Sequence, residues 1–243
     1  MQLEDTGAAL DLEHVLSRRD LLAWLGAAGL AVVAGGCASG TSTSTVPGSS
    51  SSSSTPGSAA SCMLSPELTE GPYYISGEAV RSDITEGKAG VPLRLSLNVV
   101  NASSCAPISG ATVEVWHADA GGDYSGFGNG ASSRTFLRGA QVAGADGAVT
   151  FQTIYPGWYV GRAVHIHLKV HIAGNVVHTG QLFFDEQVSD GVYARSPYSS
   201  RTGQRTTNAQ DSIYTQGGAQ TLQLAAEGDG YRGTCLLGVQ QSS

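Results

Sequence analysis

Apolar and polar side chains alternate through Leu93-Arg94-Leu95-Ser96-Leu97-Asn98-Val99. A period of two sends successive side chains to opposite faces, so this run predicts a half-buried strand. Residues 112–116 read as a second strand. Ala145-Asp146-Gly147 reads as a hairpin-type turn leading into a third over 149–154. Residues 164–172 and 176–184 supply two more, joined by Ala173-Gly174-Asn175. Short strands separated by turn signals, without a long helical period or an internal repeat, predict an all-β domain built as a β-sandwich. Residues 185–220 are rich in polar side chains, Tyr and Gly and are expected to form long loops with little regular structure.

The pattern differs before residue 62. Ser17-Arg18-Arg19-Asp20-Leu21-Leu22 carries paired arginines, and an apolar, glycine-containing run follows over 21–34. That run is too short for a comfortable membrane span and suits the apolar stretch of an export signal. The Arg18-Arg19 pair resembles a twin-arginine signal, which exports proteins already folded. Ala34-Gly35-Gly36-Cys37 resembles a lipoprotein processing site, with Cys37 as the lipidated first residue of the mature chain. Residues 38–61 are mostly Ser, Thr, Gly, Pro and Ala and read as a disordered tether. The expected organisation is a signal over 1–36, a tether over 37–61 and a folded domain over 62–243. The expected address is the outer face of the cell membrane, as a lipoprotein or a secreted protein. It would be reached through the twin-arginine export machinery, with the membrane touched only through a lipid on Cys37. A plain anchor helix with a chance arginine pair is the alternative.

Composition narrows the class. Only 14% of the 243 residues are charged and 33 are Gly, a balance that favours β structure over helix. A formal net charge of −7 gives no basic footprint for nucleic acid. Export permits a disulfide. With Cys37 set aside, Cys62, Cys105 and Cys235 remain, so one thiol is left over. Cys105 with Cys235 is the expected pair, since both sit at or within apparent strands. No two cysteines share a short spacing, and a cysteine-based metal site is not expected.

The sharpest chemical signal is His165-Ile166-His167. On a strand both histidines leave the same face, with Cα atoms about 6.5–7 Å apart, a span that lets two imidazoles converge on one metal. Ile166, Leu168 and Val170 then face the core. Lys169 and His171 continue the polar face, so two surface histidines on a strand remain the plain alternative. Tyr124 and Tyr159 lie in glycine-rich surroundings, and each taken alone reads as a turn tyrosine. Their weight comes from combination: two phenolates and two neutral imidazoles form a hard, anionic donor set that favours Fe(III). Zinc usually takes His, Cys or carboxylate instead.

Five blocks occur in order: Leu68-Thr69-Glu70-Gly71-Pro72-Tyr73-Tyr74, Val113-Glu114-Val115-Trp116-His117-Ala118-Asp119, Pro156-Gly157-Trp158-Tyr159, Gly161-Arg162-Ala163-Val164-His165-Ile166-His167 and Gln181-Leu182-Phe183-Phe184. With them, nearly all of 62–243 resembles the intradiol ring-cleavage dioxygenases, the family of catechol 1,2-dioxygenase and protocatechuate 3,4-dioxygenase, and most of all their exported actinobacterial branch. The resemblance implies a β-sandwich with iron at its edge, and one Fe(III) per chain held by Tyr124, Tyr159, His165 and His167. It implies a small aromatic diol and O2 as reactants and a muconate-type diacid as product. It makes Tyr159 the acceptor of a substrate proton, Arg162 a fixed charge near the reacting ring, and Gln181 a hydrogen-bonding partner of substrate or ligands. Tyr73, Tyr74 and Trp158 are candidate pocket walls. His14, His117, His171 and His178 are not assigned to iron. Cytoplasmic members carry a helical N-terminal region that helps form a dimer. Here a signal and a Ser-rich tether stand in its place, so the resemblance assigns no oligomeric state. Two rivals remain: a non-catalytic surface β-sandwich acting as a binding or adhesion lipoprotein, and a copper or zinc enzyme built on the same His-x-His strand.

Overall fold

The alternating run forms β1, Pro92–Asn101, in which Leu93, Leu95, Leu97 and Val99 are fully or almost fully buried. In the computed structural model, which describes residues 62–128 and 131–240, β1 is a central strand of a four-stranded sheet. Its neighbours are β4, Ala148–Ile154, and β9, Gly230–Val239, with β8, Gln223–Glu227, at the edge beyond β9. The second sheet has five strands. β3, Arg138–Val142, lies beside β2, Thr112–Trp116, followed by β5, His165–Ile172, β6, Asn175–Phe183, and β7, Gln220–Thr221. The two sheets form the expected β-sandwich. Val113 and Val115 of β2 and Ile166, Leu168 and Val170 of β5 share one apolar core with the inner residues of β1, β4 and β9. β5 and β6 are the expected hairpin, closed through Ala173 and Gly174.

Three expectations need correction. The turn at Ala145-Asp146-Gly147 does not close a hairpin: β3 pairs with β2 and β4 with β1, so the chain passes there from one sheet to the other. Residues 185–220 are not simply loop. They hold α1, Glu186–Tyr193, and α2, Ser212–Gly217. Asp185 and Asp211 start these helices by accepting hydrogen bonds from backbone N–H groups of the first turn. Cys105 does not pair with Cys235 but with Cys62, Cα to Cα 5.2 Å. The N-terminal segment runs beside the end of β9, where Ser65 N–H donates to Gly238 O and Ala102 N–H donates to Val239 O. That course brings Cys62 to the turn after β1. Cys235 lies within β9, opposite Leu97 of β1, and is a free thiol.

Arg18, Arg19 and Cys37, with the whole signal and tether, lie outside the described residues. No helix among the described residues is long and apolar enough to cross a membrane.

Candidate metal centre

Because even-numbered residues of β5 fill the core, His165, His167, Lys169 and His171 leave the other face of the five-stranded sheet. The register sets His167 between Trp116 of β2 and Gln181 of β6. An outward row normally meets solvent, yet Trp116 and His167 are 0% exposed and Gln181 only 2%. A strap over residues 64–74 covers them. Leu68 N–H donates to Thr179 O, Glu67 bonds His178 Nδ1 and Thr179 N–H, and Gln181 Nε2 donates to Thr69 O at 2.8 Å. Lys169 pairs with Glu70 at 2.5 Å. Gly71 lies against the His167 ring with φ +70, and a Cβ there would stand 3.1 Å from His167 Cε1. A side chain would therefore be both strained and crowded.

The four nominated side chains meet under this cover. His165 Nδ1 donates to Ala163 O at 2.6 Å, which leaves the Nε2 lone pair pointing inward. His165 Nε2 lies 2.9 Å from His167 Nε2 and 3.2 Å from Tyr159 Oη. The ring of Tyr124 lies 5.7 Å from that of Tyr159 and 6.1 Å from that of His167. Its hydroxyl is buried without a well-formed hydrogen bond, although Tyr159 is near enough to act on its acidity. Trp116 stacks on His167 at 5.0 Å with planes 4° apart, and Tyr73 stacks on Tyr124 at 4.2 Å. The cluster opens on the side of Tyr159 and Arg162, which are partly exposed. These two are held in a turn in which Arg162 N–H donates to Tyr159 O. Gly161, at φ +87, supplies the left-handed third position of that turn.

Electrostatics suit a bound cation. Burial, with Arg162 adding, pushes His165 down to about 3, and burial pushes His167 well below its ordinary value, so both imidazoles are neutral. Burial raises the Tyr124 phenol well above its ordinary value, and Tyr159 reinforces the rise. Burial also raises Tyr159, against the pull of Arg162. Neither phenol ionises near neutrality unless strong positive charge is supplied beside it. Two imidazole nitrogens face each other and a phenol oxygen is left unsatisfied out of water. This donor set fits a hard trivalent cation. Among the described residues no three His, Cys, Asp or Glu side chains gather, so a zinc- or copper-type site would need the phenols as well.

Arg162 stands at the rim. Its Nε donates to Asp211 Oδ2 at 2.9 Å and its Nη2 to Gln181 Oε1 at 2.5 Å. Burial alone would raise the Asp211 carboxyl, but the Ala163 N–H and the Arg162 guanidinium hold it below its ordinary value. Asp211 is therefore an anionic anchor for Arg162. Of the candidate walls, Tyr73 packs against both Tyr124 and Tyr159. Tyr74 lies behind, against Trp116, with its hydroxyl on Glu114 Oε2 at 3.0 Å. Trp158 belongs to the main core, with the Arg201 guanidinium 4.1 Å above its ring. His117 bonds Ala118 O and Thr153, His171 bonds Glu114, and His178 bonds Glu67, all outside the cluster. Sequence reasoning missed Asp211, which lies 49 residues from Arg162 with no local signal joining them. It also missed the roles of Trp116, Thr69 and Gly71, although all three stand inside the quoted blocks.

The Dioxygenase family model matches residues 69–205. A solved intradiol ring-cleavage dioxygenase from Tetranychus urticae is 38% identical, covers 74% of this chain and 95% of its own, and superposes with a TM-score of 0.71. The dioxygenase domain of a dioxygenase and carbohydrate-binding fusion from Streptomyces sp. SirexAA-E is 30% identical over 74% of this chain and 99% of its own, at a TM-score of 0.59. Catechol 1,2-dioxygenase 1 of Acinetobacter lwoffii is 39% identical over 101 residues, which is 39% of this chain and 32% of that protein. The chain spans between about a third and a little over half the length of the curated relatives it matches.

Proposed function

The chain belongs to the intradiol ring-cleavage dioxygenase family, and from that premise we propose that it is an Fe(III)-dependent enzyme that opens catechol-type aromatics with O2 between the two hydroxyl-bearing carbons, giving muconate-type diacids. Tyr124, Tyr159, His165 and His167 would hold one ferric ion per chain. The observation that carries this reading is the gathering of two buried, neutral imidazoles, the buried phenol of Tyr124 with its Oη unsatisfied, and the half-buried phenol of Tyr159. When bound, the ferric ion supplies a Lewis acid and a template for the diol.

The protein's own groups divide the remaining work. Tyr159 stands on the open side, and as the phenolate that a bound cation would stabilise, it would take a proton from an entering diol and become the neutral phenol. Arg162 is fixed by Asp211 and Gln181, so its charge faces the reacting ring without having to reorganise. Tyr73, stacked on Tyr124 and edge-on to Tyr159, is a flat wall that orients an aromatic ring and excludes water. A non-catalytic binding or adhesion sandwich has no use for four polar donors collected beneath a strap.

Oxygen uptake with a panel of catechol, hydroxyquinol, protocatechuate and larger catechols tests the proposal and identifies the substrate. Iron-loaded protein is expected to consume O2 in proportion to substrate and to form a diacid. Failure to open any catechol by protein that retains iron would overturn the reading. The location proposal, anchoring at the outer face of the cell membrane or secretion, rests on Arg18-Arg19 and Cys37. Replacing Arg18 and Arg19 with lysines is expected to trap active enzyme inside the cell, and normal export of that variant would remove the twin-arginine reading. Cys37→Ser is expected to release the protein from the membrane.

A further inference from the structure

Tyr124 sits in a stretch that has little regular structure of its own. Gly121 and Gly122 precede it, Gly126 and Gly128 follow, and among the described residues of 117–137 there is no helix or strand. Such a segment does not fix a side chain by itself, yet Tyr124 is 4% exposed and stacked in one orientation. Tyr73 stacks on its ring, Asp119 holds the backbone just before it, and Arg138, the first residue of β3, whose register partner is Trp116, engages the residue just after it. Arg138 is 1% exposed. Its Nε donates to Ser125 Oγ at 2.8 Å and Ser125 O at 3.1 Å, and its Nη2 donates to the same carbonyl at 2.8 Å. Ser125 Oγ passes the connection on to Phe136 O at 2.6 Å. The guanidinium carbon lies 5.9 Å from the centre of the Tyr124 ring. Glu78, with its side chain 6% exposed, balances the buried charge at 3.5 Å.

We infer that Arg138 is a positioning residue for Tyr124: its planar fork clamps the backbone and hydroxyl of Ser125 and so fixes the phenol one residue earlier at the metal centre. A buried cation engaging three donor contacts on a single neighbouring residue is more than a turn needs. The planar fork matters as well as the charge, because an ammonium cannot reproduce its fixed directions. The inference rests on the reading of Tyr124 as a ligand. It predicts that losing the fork loosens one phenol while leaving the two histidines and Tyr159 in place.

The test compares full-length, Fe(III)-loaded parent, Arg138→Lys and Ser125→Ala. Three readouts are taken: the visible phenolate-to-iron absorption, the rate of iron release to a chelator, and the melting temperature of the metal-free protein. Arg138→Lys is expected to shift or broaden the absorption and to release iron about tenfold faster, as loss of a group that orients a ligand does. Ser125→Ala removes the hydroxyl that accepts from Arg138 Nε and donates to Phe136 O, and leaves the guanidinium, its bonds to Ser125 O and Glu78 untouched, so a smaller change in the same direction is expected. It also decides the matter if Arg138→Lys fails to fold. Variants that melt lower while absorption and release stay at the parent values would overturn the proposal and leave Arg138 a structural ion pair. A parent that binds iron without phenolate absorption would instead refute the ligand reading beneath it.

Discussion

Acid should destabilise the metal-free protein through its buried histidines well before its carboxylates protonate. In the folded chain burial holds His117 down to about 4 and His165 down to about 3, and His167 is displaced in the same direction. In the unfolded chain each returns to about 6.5. The folded form therefore binds fewer protons throughout the interval below about 6.5. Stability is full above that value and falls as the pH is lowered toward the folded-state values. At about pH 5 each histidine removes about 2 kcal/mol, so His117 and His165 together remove about 4 kcal/mol, with His167 adding to the loss. Glu78, raised by burial, works in the opposite sense and softens the slope. For a domain of this size the two-histidine loss corresponds to a fall of about 8–16 °C in melting temperature. The assay is thermal unfolding by circular dichroism in the presence of chelator, between about pH 7.5 and about pH 5. His117 is satisfied on both ring nitrogens, by Ala118 O and Thr153 Oγ1, so His117→Gln should melt lower at neutral pH. It should also show a pH-dependent drop smaller by about 2 kcal/mol. A melting temperature that stays flat across this range would refute the claim that these imidazoles are buried and neutral.

Arg162→Ala is expected to keep iron but to slow turnover by a few kcal/mol in the barrier. It should also cost about 3 kcal/mol of stability, because Asp211, with its side chain 1% exposed, loses its partner. Unchanged turnover alongside lowered stability would make Arg162 structural only. Cys62→Ser opens a loop of sequence separation 43 and is expected to cost about 4 kcal/mol by loop entropy. A denaturant midpoint equal to that of the parent would show that the strap is held by its hydrogen bonds alone.

The parts of this architecture that were legible in the sequence are those governed by a local period. Alternation in β1 and β5 declared which side chains enter the core, and for His165 and His167 the same alternation put both on one face. Long-range pairing was not legible. β9 carries Gly230, Gly233 and Gly238, which interrupt any alternating signal, although it is a central partner of β1. The turn at 145–147 has hairpin composition, but which strand each arm pairs with is decided by the rest of the sandwich. Helices α1 and α2 have eight and six residues, too few turns for a helical period to stand out. Cysteine positions give separations and not proximity, so the approach of Cys62 to Cys105 had to be seen. The candidate centre was legible residue by residue through its resemblance. Its supports were not: Asp211 under Arg162, the strap over His167 and Arg138 beside Tyr124 all come from distant parts of the chain.

The central claim is a ferric centre ligated by two phenols and two imidazoles, and resonance Raman spectroscopy of the iron-loaded protein tests it most directly. Excitation in the visible absorption is expected to enhance tyrosinate vibrations in a red to burgundy protein carrying about one iron per chain. Tyr124→Phe and Tyr159→Phe should each remove part of that pattern. An iron-loaded protein that shows no tyrosinate enhancement, or one in which both substitutions leave the spectrum intact, would contradict it.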